Sequence, residues 1–329
     1  MKQVNRQSTI RSFYGIPKKT KRGKLSRVRV AHSHSLWKKA LFLISLAALL
    51  VISAGVILTL GQVPMKISDV YATIVNTLIP DIFMVDDLIT HVILKIRLPL
   101  ILGAIISGAG LGICGCVMQA VLKNPMASPF TLGISSGAHF GISIGAVFGV
   151  TILNGPYFLV GNAFLCAMLC SGFIISLSAL RGATSETMVL AGIAVNYLFQ
   201  ATNQFLTYIA DDEQRNIMSL WGMGSLSSLN WNGVCFLLIA SLICLPLIFM
   251  RVWDLNLMTA GDESAKSMGV NAGHIRIFIM VVASLLVAAI VAFVGVIGFV
   301  GLIAPHTGRM ILGNDHRYLI PASGALASS

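Results

Sequence analysis

From Gly133 to Gly149 the chain reads GISSGAHFGISIGAVFG, with glycine at 133, 137, 141, 145 and 149. A spacing of four keeps all five on one slowly turning face of an apolar helix. Each interior glycine costs a helix about 1 kcal/mol relative to alanine, so the run is a heavy local penalty. Such a run is tolerable where a second helix must come backbone to backbone against that face. Between membrane helices, where leaving water supplies little drive, small residues provide that contact. The segment therefore predicts a helix packed deep inside a polytopic membrane protein, with Gly133, Gly137, Gly141, Gly145 and Gly149 at the interface.

The rest of the chain agrees. Hydrophobic residues make up 56% of it and charged residues 11%, against roughly 25% charged in a soluble domain. Apolar stretches near the length of about 20 residues that crosses a bilayer recur at Ala40–Leu60, Leu98–Leu122, Ile134–Leu153, Tyr157–Leu180, Thr187–Ile209, Trp231–Met250, Ile275–Phe293 and Val296–Leu312. A ninth starts at Leu319. The expected fold class is all-α, a helical membrane bundle with eight complete spans and no soluble domain.

Residues 1–39 hold twelve Lys/Arg and no Asp/Glu, which accounts for the net charge of +11. A cationic block poor in apolar residues is expected to be disordered. Lying just before the first span, it places the N-terminus in the cytoplasm, where it meets anionic lipid rather than nucleic acid. The run that follows is too long for a cleavable signal and lacks its small-residue site. Alternation then puts Lys123, Arg181, Arg251–Arg276 and Arg309–Arg317 inside. The loops around Lys66–Arg97 and Asp211–Trp231 fall outside, with Asp69, Asp81, Asp86, Asp87, Asp211, Asp212 and Glu213. Ser68 is expected to cap a short outer helix with Val70, Ile74, Val75 and Leu78 on one face.

Several chemistries have no parts here. No G-x-x-x-x-G-K-[ST] loop is present to cradle ATP phosphates, nor is there an H-E-x-x-H or a G-x-S-x-G. No Asp, Glu, Lys or Arg sits mid-span, as an ion or proton relay requires. The six cysteines all lie in spans and read as small buried hydrophobes, with no disulfide framework and no metal site. His139 and His306 read as packing residues, and Pro305 as a kink in its span. No catalytic residue and no cofactor is expected.

Two polar features stand out. Between Arg251 and Arg276, the run Gly261-Asp262-Glu263-Ser264-Ala265-Lys266-Ser267-Met268-Gly269 predicts a stub helix with acids at its positive end and Gly269 as a left-handed stop. Such a stub on the membrane face suits the docking of a cytoplasmic partner, although an ordinary capped loop has the same pattern. On the fifth span, Asn196, Gln200, Asn203 and Gln204 share one face. Four amides in a bilayer must meet protein or water; helix-to-helix hydrogen bonding and the lining of a hydrated pathway both satisfy that.

The runs Arg97-Leu98-Pro99, Gln119-Ala120, Lys123 to Pro129 and Leu132 to Ala138 resemble the FecCD family. Thr184-Ser185 with Leu190-Ala191-Gly192, Gly261–Asn271, and Ile297 to His306 through Gly313 to Arg317 strengthen the likeness, which covers roughly residues 60–329. The family comprises permease subunits of importers for iron–siderophores, haem and vitamin B12. The resemblance implies a BtuC-like bundle of ten helices, paired with a second permease subunit. It further implies two cytoplasmic ATPases, which alone hydrolyse ATP, and an extracytoplasmic binding protein that delivers a metal chelate, a siderophore first among the candidates. It implies that Gly261, Asp262, Glu263, Ala265 and Gly269 form the ATPase-coupling segment and Thr184 and Ser185 an inner gate. It makes Arg97 a docking cation for the binding protein and the fifth span, with its four amides, a pathway wall. The expected location is the inner membrane of a prokaryote. Leu100 stands where many members carry a second arginine, and the permease domain, residues 40–329, stops as the ninth span begins. A secondary transporter, or a structural fragment of such a permease, are the alternative readings.

Overall fold

The computed structural model describes residues 21–60, 65–79, 82–152, 155, 157–227 and 229–329, all helices and connections with no strand among them. Residues 1–20 of the basic arm, Asp81 and Leu153 lie outside these. The chain divides into residues 1–45 and a larger compact unit, residues 46–329. The first helix, α1 (Lys21–Thr59), already starts within the segment expected to be disordered. Lys, Arg and Leu are good helix formers and no proline interrupts residues 21–59, so charge alone did not prevent a helix there.

In the larger unit the elements after α1 follow in order. They are α2 (Ile67–Leu78), α3 (Asp87–His91), a π-helical turn Val92–Arg97, and α4 (Leu98–Val121). Then come α5 (Ile134–Phe148), α6 (Phe158–Ala179), α7 (Ser185–Ile209), α8 (Asp212–Gly222) and α9 (Trp231–Phe249). The chain closes with α10 (Val252–Met258), α11 (Asp262–Ser267), α12 (Ala272–Val294), α13 (Val300–Leu312) and α14 (His316–Ser328). Among the described residues, five helices are long and apolar enough to cross a membrane, within 39–59, 87–121, 158–179, 231–249 and 272–294. The protein is a multi-pass helical membrane protein.

The remaining expected spans differ in detail. The third ends at Phe148, because Gly149 turns left-handed at φ 66°. The eighth is helical only from Val300 and has 13 residues. The separator before it, around Gly295 (φ 76°), crosses the Trp221–Gly224 turn so closely that Ser225 N–H donates to Val294 O at 2.7 Å. Ser68 is not the cap of α2: Lys66 holds that position and the Ser68 hydroxyl bonds to Asp69. Val70 and Ile74 of that helix pack with Leu58, Ile93 and Ile101.

The glycine run divides by role. Gly137, Gly141 and Gly145 carry the contact with α6, where an added Cβ would meet Cys170 Cβ, the Asn162 carbonyl and Asn162 Nδ2. Gly133 (φ 85°) is the N-cap of α5, with an added Cβ 3.1 Å from Asn196 Cα, and an added Cβ at Gly149 would meet nothing within 4 Å among the described residues. The period of four was therefore correct for the interior and mistaken for Gly149, whose task is conformational. A second small-residue stripe lies on α4: Gly108 and Gly112 face the carbonyls of Ala327 and Ser323 in α14, and Gly115 faces Gly301 in α13. This makes α4, together with the largely buried α12, the centre of the core.

Candidate functional site

The stretch Arg251–Arg276, expected to be one polar loop, is built of α10, the stub α11 and the first turn of α12. Gly261, at φ 110° and ψ 154°, admits the chain to α11, and Asp262 and Glu263 lie in its first turn. At the other end Gly269 (φ 88°) donates to Lys266 O, and Val270 N–H donates back to Ala265 O at 2.9 Å. These paired bonds form a Schellman cap, the left-handed stop that the sequence predicts. Ala265 is fully buried, while Glu263, Lys266, Ser267 and Gly269 are exposed. One small residue thus anchors the stub and leaves a mixed-charge face open.

Asp262 is fixed from two sides. Lys123, just past α4, reaches it at 2.9 Å, and Arg276 Nη2 reaches both its oxygens at 3.1 and 3.2 Å. Burial alone would raise the Asp262 pKa; the hydrogen bonds and charges of Lys123 and Arg276 outweigh that and hold it below the ordinary carboxylate range. Arg276 itself is only 2% exposed. Its Nε donates to Val121 O at 2.8 Å and its Nη1 to Ala183 O at 2.8 Å. Sequence reasoning assigned Arg276 to a loop and gave it no role. The available signal was a lone arginine in the first turn of an otherwise apolar helix, where a charge needs partners.

Ala183 precedes Thr184 and Ser185. Thr184 is the N-cap of α7, its Oγ1 accepting from Thr187 N–H at 3.2 Å, and Ser185 is buried. A cavity of about 400 Å³ lies between this turn and the stub, lined by Gly182, Thr184, Asp262, Glu263, Gly269 and Arg276. The residues expected for the coupling segment and for the gate are therefore neighbours in space.

The amide face of α7 splits in two. Asn196 Oδ1 accepts from Ser136 Oγ at 2.7 Å. Buried Asn203 accepts from Ser143 Oγ and donates to Ser136 O, both at 3.1 Å. These two amides hold α7 to α5. Gln200 and Gln204 are exposed. All four line one cavity of about 640 Å³ with Ser135, His139 and Thr207. A second, of about 410 Å³, shares Phe130, Asn196 and Gln200 and extends to Val189. Along α7 the lining runs from Val189 to Thr207, about 27 Å at 1.5 Å per residue, close to the roughly 30 Å of a bilayer core. Asn196 and Asn203 thus bond to α5 as well as lining the cavity, whereas Gln200 and Gln204 line it from exposed positions.

His139 stacks on Trp221 with ring centroids 5.7 Å apart, and its Nε2 is buried without a hydrogen-bond partner among the described residues. His306 is exposed. The Gly313–Arg317 motif is fastened to α10: Asn256 Nδ2 donates to Asp315 Oδ1 at 3.0 Å, and Asn256 Oδ1 accepts from His316 N–H at 2.8 Å. Gln119, from the Gln119-Ala120 motif, accepts from Arg309 Nη2 at 2.9 Å. Arg97, at the end of the π-helical turn, donates to the carbonyl of Leu58, a C-terminal carbonyl of α1.

Comparison with known proteins fits this geometry. Residues 46–329 match the model of the FecCD transport family. A Methanocaldococcus jannaschii protein named only as an ABC transporter permease is 42% identical over 87% of this chain and 82% of its own. The hemin transport system permease of Yersinia pestis is 38% identical over 82% of this chain and 79% of its own. A solved structure described as an inward-facing metal-chelate type ABC transporter superposes with a TM-score of 0.74 at 30% identity, covering 87% and 86% of the two chains.

Proposed function

The chain belongs to the FecCD transport family, and from that premise we propose that it is the membrane-spanning permease subunit of an ATP-driven importer of a metal chelate. The cargo class is an iron chelate, with siderophore first and haem or cobalamin as the other members. The observation that carries the reading is the stub α11: stopped at Gly269 by a Schellman cap, anchored by Ala265, with an exposed charged face, and tied by Asp262 through Arg276 to the turn before Thr184.

In this reading the N-terminus and the stub are cytoplasmic. Partner ATPases dock on α11 and close when they bind ATP. The stub carries that motion into the bundle, and the Thr184–Ser185 turn opens the inner end of the cavity along α7. A second permease subunit supplies the opposite wall. A binding protein docks on the outer face, where Arg97 contributes charge. The chain performs no chemistry; its amides at 200 and 204 offer uncharged hydrogen bonds that suit a large polar cargo without trapping it. No intramembrane acid is needed, since ATP rather than an ion gradient supplies the work.

The test is uptake of a labelled iron chelate into vesicles containing the chain, its ATPase and its binding protein. ATP on the ATPase side drives accumulation if the reading is right. Accumulation driven by a proton or sodium gradient without ATP identifies a secondary transporter instead.

A further inference from the structure

We propose that Arg276 is the positioning residue through which the stub α11 moves the turn carrying Thr184 and Ser185. The inference rests on the permease reading and adds to it one mechanical link within a single chain. The guanidinium contacts three elements. Nε holds the Val121 carbonyl at the end of α4, Nη1 holds the Ala183 carbonyl before α7, and Nη2 holds Asp262 at the start of α11.

The chemistry makes this link stiff. A guanidinium offers donors in a planar fork, so moving one partner turns the bonds to the others. At 2% exposure the charge has little access to water. A buried cation is strongly disfavoured without its partners, so Arg276 must follow Asp262 or lose the pair. The receiving end is built for a directed pull. Gly182 at φ 86° and Ala183 at φ 52° both adopt left-handed backbone, which alanine rarely does. The Ala183 amide donates to Ser178 O at 2.8 Å while its carbonyl accepts from Arg276. The next residue, Thr184, is the cap of α7.

Lys123 closes the circuit. It also has a left-handed backbone, at φ 49°, and reaches Asp262 from the end of α4. Asp262 thus answers to α4 and α12 together, and a shift of α11 reaches the gate turn by one side chain rather than through the apolar core. The depressed pKa of Asp262 fits a carboxylate held ionised by this pair of cations.

The test is hydrogen–deuterium exchange on the full chain in lipid nanodiscs, comparing wild type with Asp262→Asn and Arg276→Lys. Asp262→Asn removes the charge of a half-exposed side chain. Arg276→Lys keeps the charge but not the fork. The proposal predicts that amides of residues 182–187 exchange roughly tenfold faster in Asp262→Asn, the scale of one charge-assisted hydrogen bond lost, although the substitution lies in α11. Arg276→Lys should do the same while the α11 amides stay protected. Wild-type exchange at 182–187 in folded Asp262→Asn overturns the link, and that variant decides alone if Arg276→Lys fails to insert. This readout needs no nucleotide, so a failure of the permease reading would show separately, as vesicle uptake independent of ATP. With the ATPase and binding protein present, both variants should hydrolyse more ATP per chelate moved.

Discussion

Asn203→Ala and Gln200→Ala remove the same kind of group from the same face of α7, yet the structure assigns them different consequences. Asn203 makes two bonds to α5, donating to Ser136 O and accepting from Ser143 Oγ. Interhelical bonds in membranes average about 0.6 kcal/mol, with roughly 1.7 as the largest measured. Losing both should therefore cost about 1–2 kcal/mol. The cost stays near the low end because Ser143 Oγ keeps its bond to His139 O at 2.9 Å, leaving no orphaned hydroxyl. The Gln200 side chain is exposed to the cavity and makes no hydrogen bond among the described residues. Its truncation should fall within about 0.5 kcal/mol of wild type. Reversible unfolding in mixed micelles measures both, and chelate uptake at matched amounts of inserted protein measures function. Expected are a destabilised Asn203→Ala and a stable Gln200→Ala with altered uptake. A Gln200→Ala protein as unstable as Asn203→Ala, or one that transports normally, refutes the division of the stripe.

Gly141→Ala places a methyl group against the Asn162 carbonyl of α6, so it should destabilise by about 1–3 kcal/mol; Gly172→Ala, in open space on α6, should stabilise by up to about 1 kcal/mol. Thermal melts in detergent distinguish the two, and equal behaviour contradicts the packing described for α5. Glu263→Arg on the exposed face of α11, or Gly269→Pro at its left-handed stop, should leave insertion intact and reduce uptake severalfold, read by labelled-chelate accumulation; unaltered uptake removes α11 from the coupling path. The Arg317 hydrogen bond holds Asp315 at a pKa of about 2. Because this folded value lies below the unfolded value of about 3.9, its stabilisation is present above that and is lost as pH falls towards 2. Acid unfolding should show a loss in that window that Asp315→Asn lacks.

Much of this was legible beforehand, because apolar length and small-residue spacing constrain a membrane bundle strongly. The stub and its glycine stop were readable for the same reason: acids, an apolar anchor and a left-handed terminator are local signals. The second stripe, Gly108, Gly112 and Gly115, was hidden because its partners, Ser323, Ala327 and Gly301, lie about two hundred residues away. Gly149 was misjudged because periodicity does not separate a glycine inside a helix from one that ends it. The amides stayed ambiguous for a related reason: only the positions of Ser136 and Ser143 on α5 decide which of them are satisfied by protein. Arg276 was missed because its three partners come from three distant segments, and no spacing rule reports a convergence in space.

In the proposed transporter a separate ATPase grips α11. A photocrosslinker carried at Lys266, exposed on the stub, tests it in intact cells that express the whole transporter. A docked ATPase should give a covalent adduct that weakens or shifts when ATP is trapped in the closed state. A stub that yields no adduct with the ATPase, or that reacts with a membrane-impermeant reagent added from outside, contradicts it.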